Sequence, residues 1–199
     1  MTSASALAAL DTGTVLAEHL RPAPGDVERA TRLALRGAGI RPGMRCLDAG
    51  CGRGERMRVM GELVGPEGEV WGVERGARRH GLDVLDWLEA TSPARYTWVD
   101  GDASALDELH GARFHVVLAR LGVLGDPVAT VRRLATLARP RGHLVLLEHL
   151  GGPGVDPALL GPPPAAYTVA AGLGLPDGSV RAGGVRAVWL RRPWGEAGA

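Results

Sequence analysis

A glycine-rich bend at residues 46–54 constrains the fold more than any other stretch, and it reads CLDAGCGRG. The apolar residues at its start are typical of a short buried strand, and the residues after it open a helix. Glycine tolerates positive φ and lets a ligand approach the bare backbone. Free N–H groups at a helix start favour a polar or anionic ligand group. The bend therefore predicts a ligand site between a strand and a helix, with a tight turn that binds nothing as the alternative.

The spacing of the glycines narrows the kind of ligand. Gly50, Gly52 and Gly54 alternate as GxGxG, and Glu55 stands where a dinucleotide-binding fingerprint has its third glycine. A NAD-dependent oxidoreductase is therefore the weakest interpretation. The segment instead resembles motif I of the class I S-adenosylmethionine (SAM) methyltransferases, in which an apolar pair and an acid precede three alternating glycines. The resemblance covers roughly residues 40–150.

The resemblance implies a SAM site that begins at this bend. Asp48 would orient the glycine loop or reach the methionine amino group through water. The implied contacts in the bend itself come from Gly50, Cys51, Gly52 and Gly54.

Acids at two later strand ends extend the implied site. Glu74 ends the predicted second strand, 20 residues after Gly54, where an acid can hold the hydroxyls of a ribose. Arg75 follows it directly. After the third strand, the resemblance assigns the adenine amine to Asp102, beside the backbone of Ala103. Asp100 competes for that role, and an ordinary solvated acid is the alternative at each position.

Apolar runs and helical patterns alternate along residues 45–148. The strands are predicted at residues 45–49, 69–74, 96–99, 114–119 and 143–147, with a turn at 139–142 before the last of them. Such alternation predicts an α/β protein with a mostly parallel sheet and helices on both faces, which is the Rossmann-like fold of class I methyltransferases. Residues 185–190 form a final strand, and 167–171 form either its partner or a short helix, so we expect an abbreviated C-terminal hairpin.

The length of 199 residues predicts a single domain, residues 1–199. We divide it into an N-terminal helical cap at 1–40, a SAM-binding core at 41–150, a proline- and glycine-rich lid or loop at 151–184 and the final strand at 185–192. In the cap, Asp26 is the predicted N-cap of a helix that Gly37 and Gly39 end.

Candidate catalytic residues lie beside the expected position of the methyl group. The resemblance places Arg120, which follows the fourth strand, near that methyl group. A hydroxyl acceptor often needs a general base, and the candidates are His149 at the end of the fifth strand and His19 in the N-terminal cap, with Glu148 as a weaker one. A structural or surface role is the alternative for each.

Composition excludes several partners. The formal net charge is +1 and aromatic residues make up 4% of the chain, so neither bulk charge nor base-stacking surface indicates nucleic acid.

No apolar run reaches the length of a membrane span, and the first residues lack a signal-peptide pattern. Cys46 and Cys51 lack metal or redox spacing, so we expect a cytoplasmic protein without a metal site. A homodimer formed by completing a small sheet is a further expectation.

The absence of certain motifs restricts the range of methyl acceptors that the sequence indicates. The segment after the fourth strand reads LARLGVLGDP, which lacks the Asn/Asp-Pro-Pro-Tyr motif of methyltransferases that modify adenine or glutamine. We therefore predict a methyltransferase that acts on a quinone or a specialised metabolite. A methyltransferase-like protein that binds SAM but catalyses a non-methylating step such as cyclisation is the alternative, and a non-catalytic partner subunit is a third interpretation.

Overall fold

Strand β1, Arg45–Ala49, lies in the interior of the sheet, and its side chains from Cys46 to Ala49 are buried. The computed structural model describes residues 24–75, 81–102, 109, 113–120, 127–149, 168–169, 180–182 and 185–191. The further strands are β2 Glu69–Glu74, β3 Arg95–Asp100, β4 Phe114–Arg120, β5 Ala138–His149, β6 Thr168–Val169, β7 Val180–Ala182 and β8 Val185–Arg191. The helices are α1 Pro24–Gly37, α2 Glu55–Val64, α3 Gly81–Thr91 and α4 Pro127–Leu137.

The strand order in the sheet is β3-β2-β1-β4-β5-β8-β6, and β7 pairs with β8. The first five strands run parallel, whereas β8 runs antiparallel to β5. This order confirms the predicted Rossmann-like α/β fold. Because the polarity of the parallel strands is shared, their carboxyl ends lie along one edge of the sheet, which is where ligands bind in such folds.

Two apolar cores cover the two faces of the sheet. On one face, Leu47 and Val117 pack with Leu134 of α4. On the other face, Cys46 and Leu118 belong to a core that also contains residues of α1 and α2. Alternate residues of each central strand point to opposite faces, so the continuous apolar runs seen in the sequence are explained by helices on both sides.

The predicted bounds of β1 and β2 agree with the structure, and β3, β4 and β8 each extend one or two residues further. The predicted turn at 139–142 lies within the bounds of β5 rather than before the strand. Phe114 pairs with Ala138 and Val116 with His143, so the extra residues form an irregularity in the ladder. Arg141 has a φ of 64° there, so the chain bends at the predicted residues, although it does so inside the strand.

The start of α1 also differs from the prediction, since the helix begins at Pro24 and Asp26 is not its N-cap. Proline suits the first turn of a helix because the N–H that it lacks would have no partner there. The predicted end is confirmed, with α1 stopping at Gly37 and Gly39 at a φ of 69°.

Four charged side chains join α1 to α2. Arg32 contacts both Glu28 and Glu62, and Arg58 contacts the same two carboxylates. Each cation bridges the two helices, so the network fixes α1 against the helix that follows the glycine bend.

The C-terminal strands complete the sheet on one side. Residues 168–169 form β6, so the described part of the segment predicted at 167–171 is a strand rather than a helix, and both β6 and β7 pair with β8. Strand β7 was not predicted, because residues 180–182 fell within the expected lid. The proline-rich part of that lid, residues 151–166, lies outside the described residues. None of the helices in the described ranges is long and apolar enough to cross a membrane.

Candidate functional site

The glycine loop, residues 50–54, turns the chain from β1 into α2. Gly50, Gly52 and Gly54 have φ values of 74°, 59° and 84°, a region that other residues enter only at a cost. The N–H groups of Gly50 and Cys51 donate to the carbonyl of Val73 at 2.8 and 3.0 Å. The loop is therefore tied to β2 by its first half, while Gly52 lies at its exposed tip.

Glu74 brings a carboxylate to this loop. It is the last residue of β2, and its Oε2 accepts a hydrogen bond of 2.8 Å from the N–H of Gly52. A Cβ built on Gly52 would meet no atom within 4 Å, so open space lies beside the loop tip and the acid. The predicted approach of Glu74 to the glycine bend is thus present in the structure.

Asp48 lies beneath the loop and is fully buried. Its Oδ1 accepts a hydrogen bond of 3.1 Å from Nε of Arg56, and Nη2 of Arg56 donates to the carbonyl of Gly50. Asp48 therefore orients the loop through Arg56. Burial raises the pKa of Asp48, and the charge of Arg56 opposes that rise. The second oxygen, Oδ2, is buried and has no hydrogen-bond partner among the described residues.

Arg56 was missed in the sequence, although it carried a signal. It is the second residue of α2, where the positive end of the helix dipole disfavours a cation. An arginine in that position needs an anionic partner, and Asp48 supplies it.

The two cysteines are free and buried. Burial raises the pKa of Cys46 to about 12 and raises that of Cys51 as well, an effect that the charges of Asp48 and Glu74 reinforce at Cys51. Thiolates are the reactive form of cysteine, so neither side chain is prepared to act as a nucleophile. The sulfur of Cys51 instead fills space beside Gly72 of β2.

Arg75 and Asp102 meet just beyond β2 and β3. Nη2 of Arg75 lies 2.6 Å from Oδ2 of Asp102, with about two thirds of the Arg75 side chain exposed (66%). The N–H of Gly101 donates to the carbonyl of Glu74 at 3.0 Å, which holds the segment containing Asp102 beside β2. Asp100, the competing acid, is the last residue of β3 and is exposed. Ala103 lies outside the described residues.

Arg120 ends β4 on the other side of β1. Its Nε is buried and has no hydrogen-bond partner among the described residues. Burial lowers the pKa of Arg120, and the nearby charge of Arg56 lowers it further.

The structure gives only part of the information on the positions of the candidate general bases. His149 is the last residue of β5, so its backbone lies at the same carboxyl edge as Glu74 and Arg120. His19 lies outside the described residues. Among those residues, no group of three or more side chains is arranged to hold a metal ion.

These observations fit a nucleoside cofactor that carries an amino acid. The open space at Gly52, the carboxylate of Glu74 and the unpartnered oxygen of Asp48 lie along one edge, and they match a ribose and an ammonium group in chemistry. The fold and this edge together define a Rossmann-like α/β protein with a candidate ligand site at the carboxyl ends of its parallel strands.

Comparison with known proteins specifies the family. Residues 17–161 match the family model described as a methyltransferase domain. The chain belongs to this family, the class I methyltransferases that use SAM.

Two curated proteins and one solved structure illustrate the similarity. The chain is 30% identical over 119 residues to a ubiquinone biosynthesis O-methyltransferase of Nitrosospira multiformis, covering 59% of the chain and 45% of that protein. It is 40% identical over 85 residues to ribosomal RNA small subunit methyltransferase H of Solidesulfovibrio magneticus, covering 42% of the chain and 23% of that protein. The alignments thus span less than half of each curated relative.

The solved structure is a SAM-dependent methyltransferase from Aquifex aeolicus, with a TM-score of 0.63, 15% identity, and coverage of 92% of this chain and 98% of that one. Similar folds also occur in proteins described as rRNA methylases and in the cyclase SpnF. At such low identity these structures show the shared fold alone.

Proposed function

We propose that this chain transfers a methyl group from SAM to a small-molecule acceptor of the quinone or specialised-metabolite kind, in the cytoplasm. The observation that carries the proposal is the hydrogen bond between the N–H of Gly52 and the carboxylate of Glu74. This hydrogen bond holds Glu74, an acid suited to binding ribose hydroxyls, against the glycine loop, which is suited to binding the remainder of the cofactor.

Each part of the site receives a role in this proposal. Glu74 takes the ribose hydroxyls, and Asp102, with Arg75 and Ala103 beside it, takes the adenine. Asp48 takes the methionine ammonium directly or through water. The loop residues Gly50, Cys51, Gly52 and Gly54 line the cofactor, and Arg120 lies on its methyl side.

When bound, SAM supplies a methyl group on a positively charged sulfur. The chain then has to hold the acceptor in line and exclude water, because alignment contributes much of the rate in such a displacement. His149 is the proposed base for a hydroxyl acceptor, with His19 as the second candidate. Arg56 acts on the loop and not on the acceptor, since its hydrogen bonds go to Asp48 and Gly50.

The small-molecule acceptor has specific support. The relative with the longer alignment is named for ubiquinone biosynthesis, and the net charge of +1 gives little attraction to a nucleic-acid backbone. The relative named for ribosomal RNA aligns over a shorter part of the chain, so RNA is the competing acceptor in the test below.

The test combines calorimetry and label transfer. S-adenosylhomocysteine should bind the purified protein, and no binding at millimolar ligand would refute the cofactor site. SAM labelled in its methyl group is then incubated with the protein and either a small-molecule extract or total RNA. Label in a small molecule is expected, whereas label in RNA would refute the acceptor class. A substrate converted without gaining the label would identify a non-methylating catalyst.

A further inference from the structure

Arg120 occupies the same face of the sheet as Asp48. Asp48 pairs with Leu118 across the ladder between β1 and β4, and residues two apart in a strand point to the same side. Arg120 therefore follows Leu118 on the face of Asp48, with the two Cα atoms of Asp48 and Arg120 about 8 Å apart from strand geometry. Arg120 lies just past the end of β1, because Ala119 pairs with its last residue, Ala49.

The guanidinium of Arg120 differs from that of its neighbour Arg56 in how its charge is balanced. Arg56 is paired with Asp48 at 3.1 Å. Arg120 has a buried Nε without a partner among the described residues, and the charge that acts on it from those residues is the second cation, Arg56. A partly buried cation that lacks a counter-charge from the described part of the chain carries a free-energy cost that an arriving anion would offset.

Arg120 lies on the opposite side of β1 from the residues proposed to hold the nucleoside. Glu74 and Asp102 lie at the ends of β2 and β3, on one side of β1, whereas Arg120 ends β4 on the other side. In the proposed site, a cofactor held at Glu74 by its ribose and at Asp102 by its adenine would extend from β2 over the glycine loop toward β4. Arg120 is therefore beside the place where an acceptor meets that end.

We propose that Arg120 binds a carboxylate of the acceptor, so that the methyl acceptor is a small carboxylic acid. This inference rests on the proposed SAM site and, of the two proposed kinds of acceptor, selects a specialised metabolite that carries a carboxylate over a neutral quinone. A guanidinium suits the role because its planar donors match the two oxygens of a carboxylate. The methionine part of SAM carries the same group, so the experiment has to distinguish the two sources.

The test is calorimetry on the full chain saturated with S-adenosylhomocysteine. The probes are benzoate, phenylacetate and 3,4-dihydroxybenzoate, each compared with its neutral amide. At least one carboxylate should bind about ten-fold more tightly than its amide, as expected for a charge-assisted pair. Failure of every carboxylate to exceed its amide would overturn the proposal without any variant being made.

Variants then assign the preference to one residue. Arg120→Gln should abolish the preference and Arg120→Lys should retain part of it, while thermal unfolding checks that both are folded. Arg95→Gln is the matched control, since Arg95 is an exposed arginine at the opposite edge of the same sheet. Persistence of the preference in Arg120→Gln would contradict the assignment.

Two further outcomes are separable. The first is that Arg120→Gln binds S-adenosylhomocysteine more weakly but binds 5′-methylthioadenosine, which lacks the amino-acid part, as tightly as the wild type does. That result would place the methionine carboxylate on Arg120 and overturn the acceptor assignment. Failure of the wild-type chain to bind S-adenosylhomocysteine would instead remove the proposed function itself.

Discussion

The carboxylate of Asp48 and the guanidinium of Arg56 form an ion pair beneath the glycine loop, with Nε 3.1 Å from Oδ1 and side-chain exposures of 0% and 10%. One residue belongs to β1 and the other to the first turn of α2. The pair therefore joins the strand to the helix across the bend, and Arg56 also holds the carbonyl of Gly50. Both the stability of the chain and the shape of the loop depend on this contact.

Replacing Arg56 should be strongly destabilising. Arg56→Met leaves the Asp48 carboxylate buried without its cation, which typically costs about 3 kcal/mol of unfolding free energy. Urea unfolding measures the loss. Arg36→Met is the control, because Arg36 is exposed in the last turn of α1 and should change stability little. A loss below about 1 kcal/mol for Arg56→Met would show that the pair does not contribute as its burial suggests.

Removing the Glu74 carboxylate should act on the cofactor. Glu74→Ala is expected to weaken S-adenosylhomocysteine by about 30-fold, since charged hydrogen bonds to the ribose hydroxyls are lost. Calorimetry measures the affinity. Glu67→Ala is the matched control, since Glu67 is an exposed acid in the turn before β2. An unchanged affinity in Glu74→Ala would refute the ribose assignment.

The glycine bend and Glu74 could be predicted because both follow from local rules. Alternating glycines allow the positive φ values of the loop, and an acid at the end of the second strand must lie at the same edge. The parallel topology of the first five strands followed from the alternation of apolar runs and helical patterns. These features depend on residues that are close together in the sequence, or on the handedness that strand–helix–strand connections share in general.

Other features depend on contacts that local patterns do not encode. The partner of Arg56 is set by where β1 and α2 meet, and only its unfavourable position near a helix start hinted at an anion. Residues 139–142 carry turn signals and bend at Arg141, yet the pairing of Ala138 with Phe114 places this bend inside β5 rather than before it. Strand β7 is three residues long and exists through its pairing with β8. Tertiary pairing thus overrode local preference at each of these places.

Two glycines should separate the stability of the fold from the site. A Cβ at Gly72 would lie 2.3 Å from the sulfur of Met57 and 2.8 Å from that of Cys51, so Gly72→Ala should cost about 2 kcal/mol from overpacking. Gly52→Ala should cost only about 1 kcal/mol, which comes from its positive φ. No packing cost is added, because a Cβ at this position meets no atom within 4 Å. That Cβ would enter the proposed cofactor space, so S-adenosylhomocysteine should bind more weakly.

Urea unfolding and calorimetry on both alanine variants test this separation. Gly72→Ala should lose more stability than Gly52→Ala and, where folded, should keep most of its ligand affinity. The reverse order of stabilities would contradict the packing at Gly72. Full ligand affinity in Gly52→Ala would show that the cofactor does not lie against the loop tip.

His115 should make the fold sensitive to mild acid. Its Nδ1 accepts a hydrogen bond of 3.1 Å from the N–H of Arg45, and burial together with the charge of Arg139 lowers the pKa of His115 below 6.5. The folded state therefore takes up a proton less readily than the unfolded state. The contribution of His115 is complete above pH 6.5 and decreases as the pH falls from there toward the folded pKa.

Urea unfolding at pH 7.5 and 5.5 measures this effect in the wild type and in His115→Gln. The wild type should lose more stability between the two pH values than the variant, because glutamine does not titrate. His143→Gln provides a comparison, since His143 is a partly buried histidine on the neighbouring strand. Equal losses in the wild type and in His115→Gln would contradict the lowered pKa.

Asp102 should recognise the exocyclic amine of the adenine by accepting a hydrogen bond from it. A carboxylate accepts a hydrogen bond from the exocyclic amine of adenine, whereas the exocyclic carbonyl oxygen of hypoxanthine has no proton to donate to it, so the wild type should prefer S-adenosylhomocysteine over S-inosylhomocysteine. Asp102→Asn should reduce that preference about ten-fold, because the asparagine amide can donate a hydrogen bond to the carbonyl oxygen of hypoxanthine, which the carboxylate cannot do. Competition calorimetry with the two ligands measures the ratio.

Asp100→Asn is the decisive comparison, because Asp100 is the other acid at the end of β3. A loss of preference in Asp100→Asn, with none in Asp102→Asn, would transfer the role to Asp100. Arg75→Gln separates the ion pair from the adenine contact, since Arg75 lies 2.6 Å from Asp102. If Arg75 competes with the adenine for Asp102, Arg75→Gln should bind S-adenosylhomocysteine more tightly. Weaker binding would show instead that Arg75 contributes to holding the nucleoside.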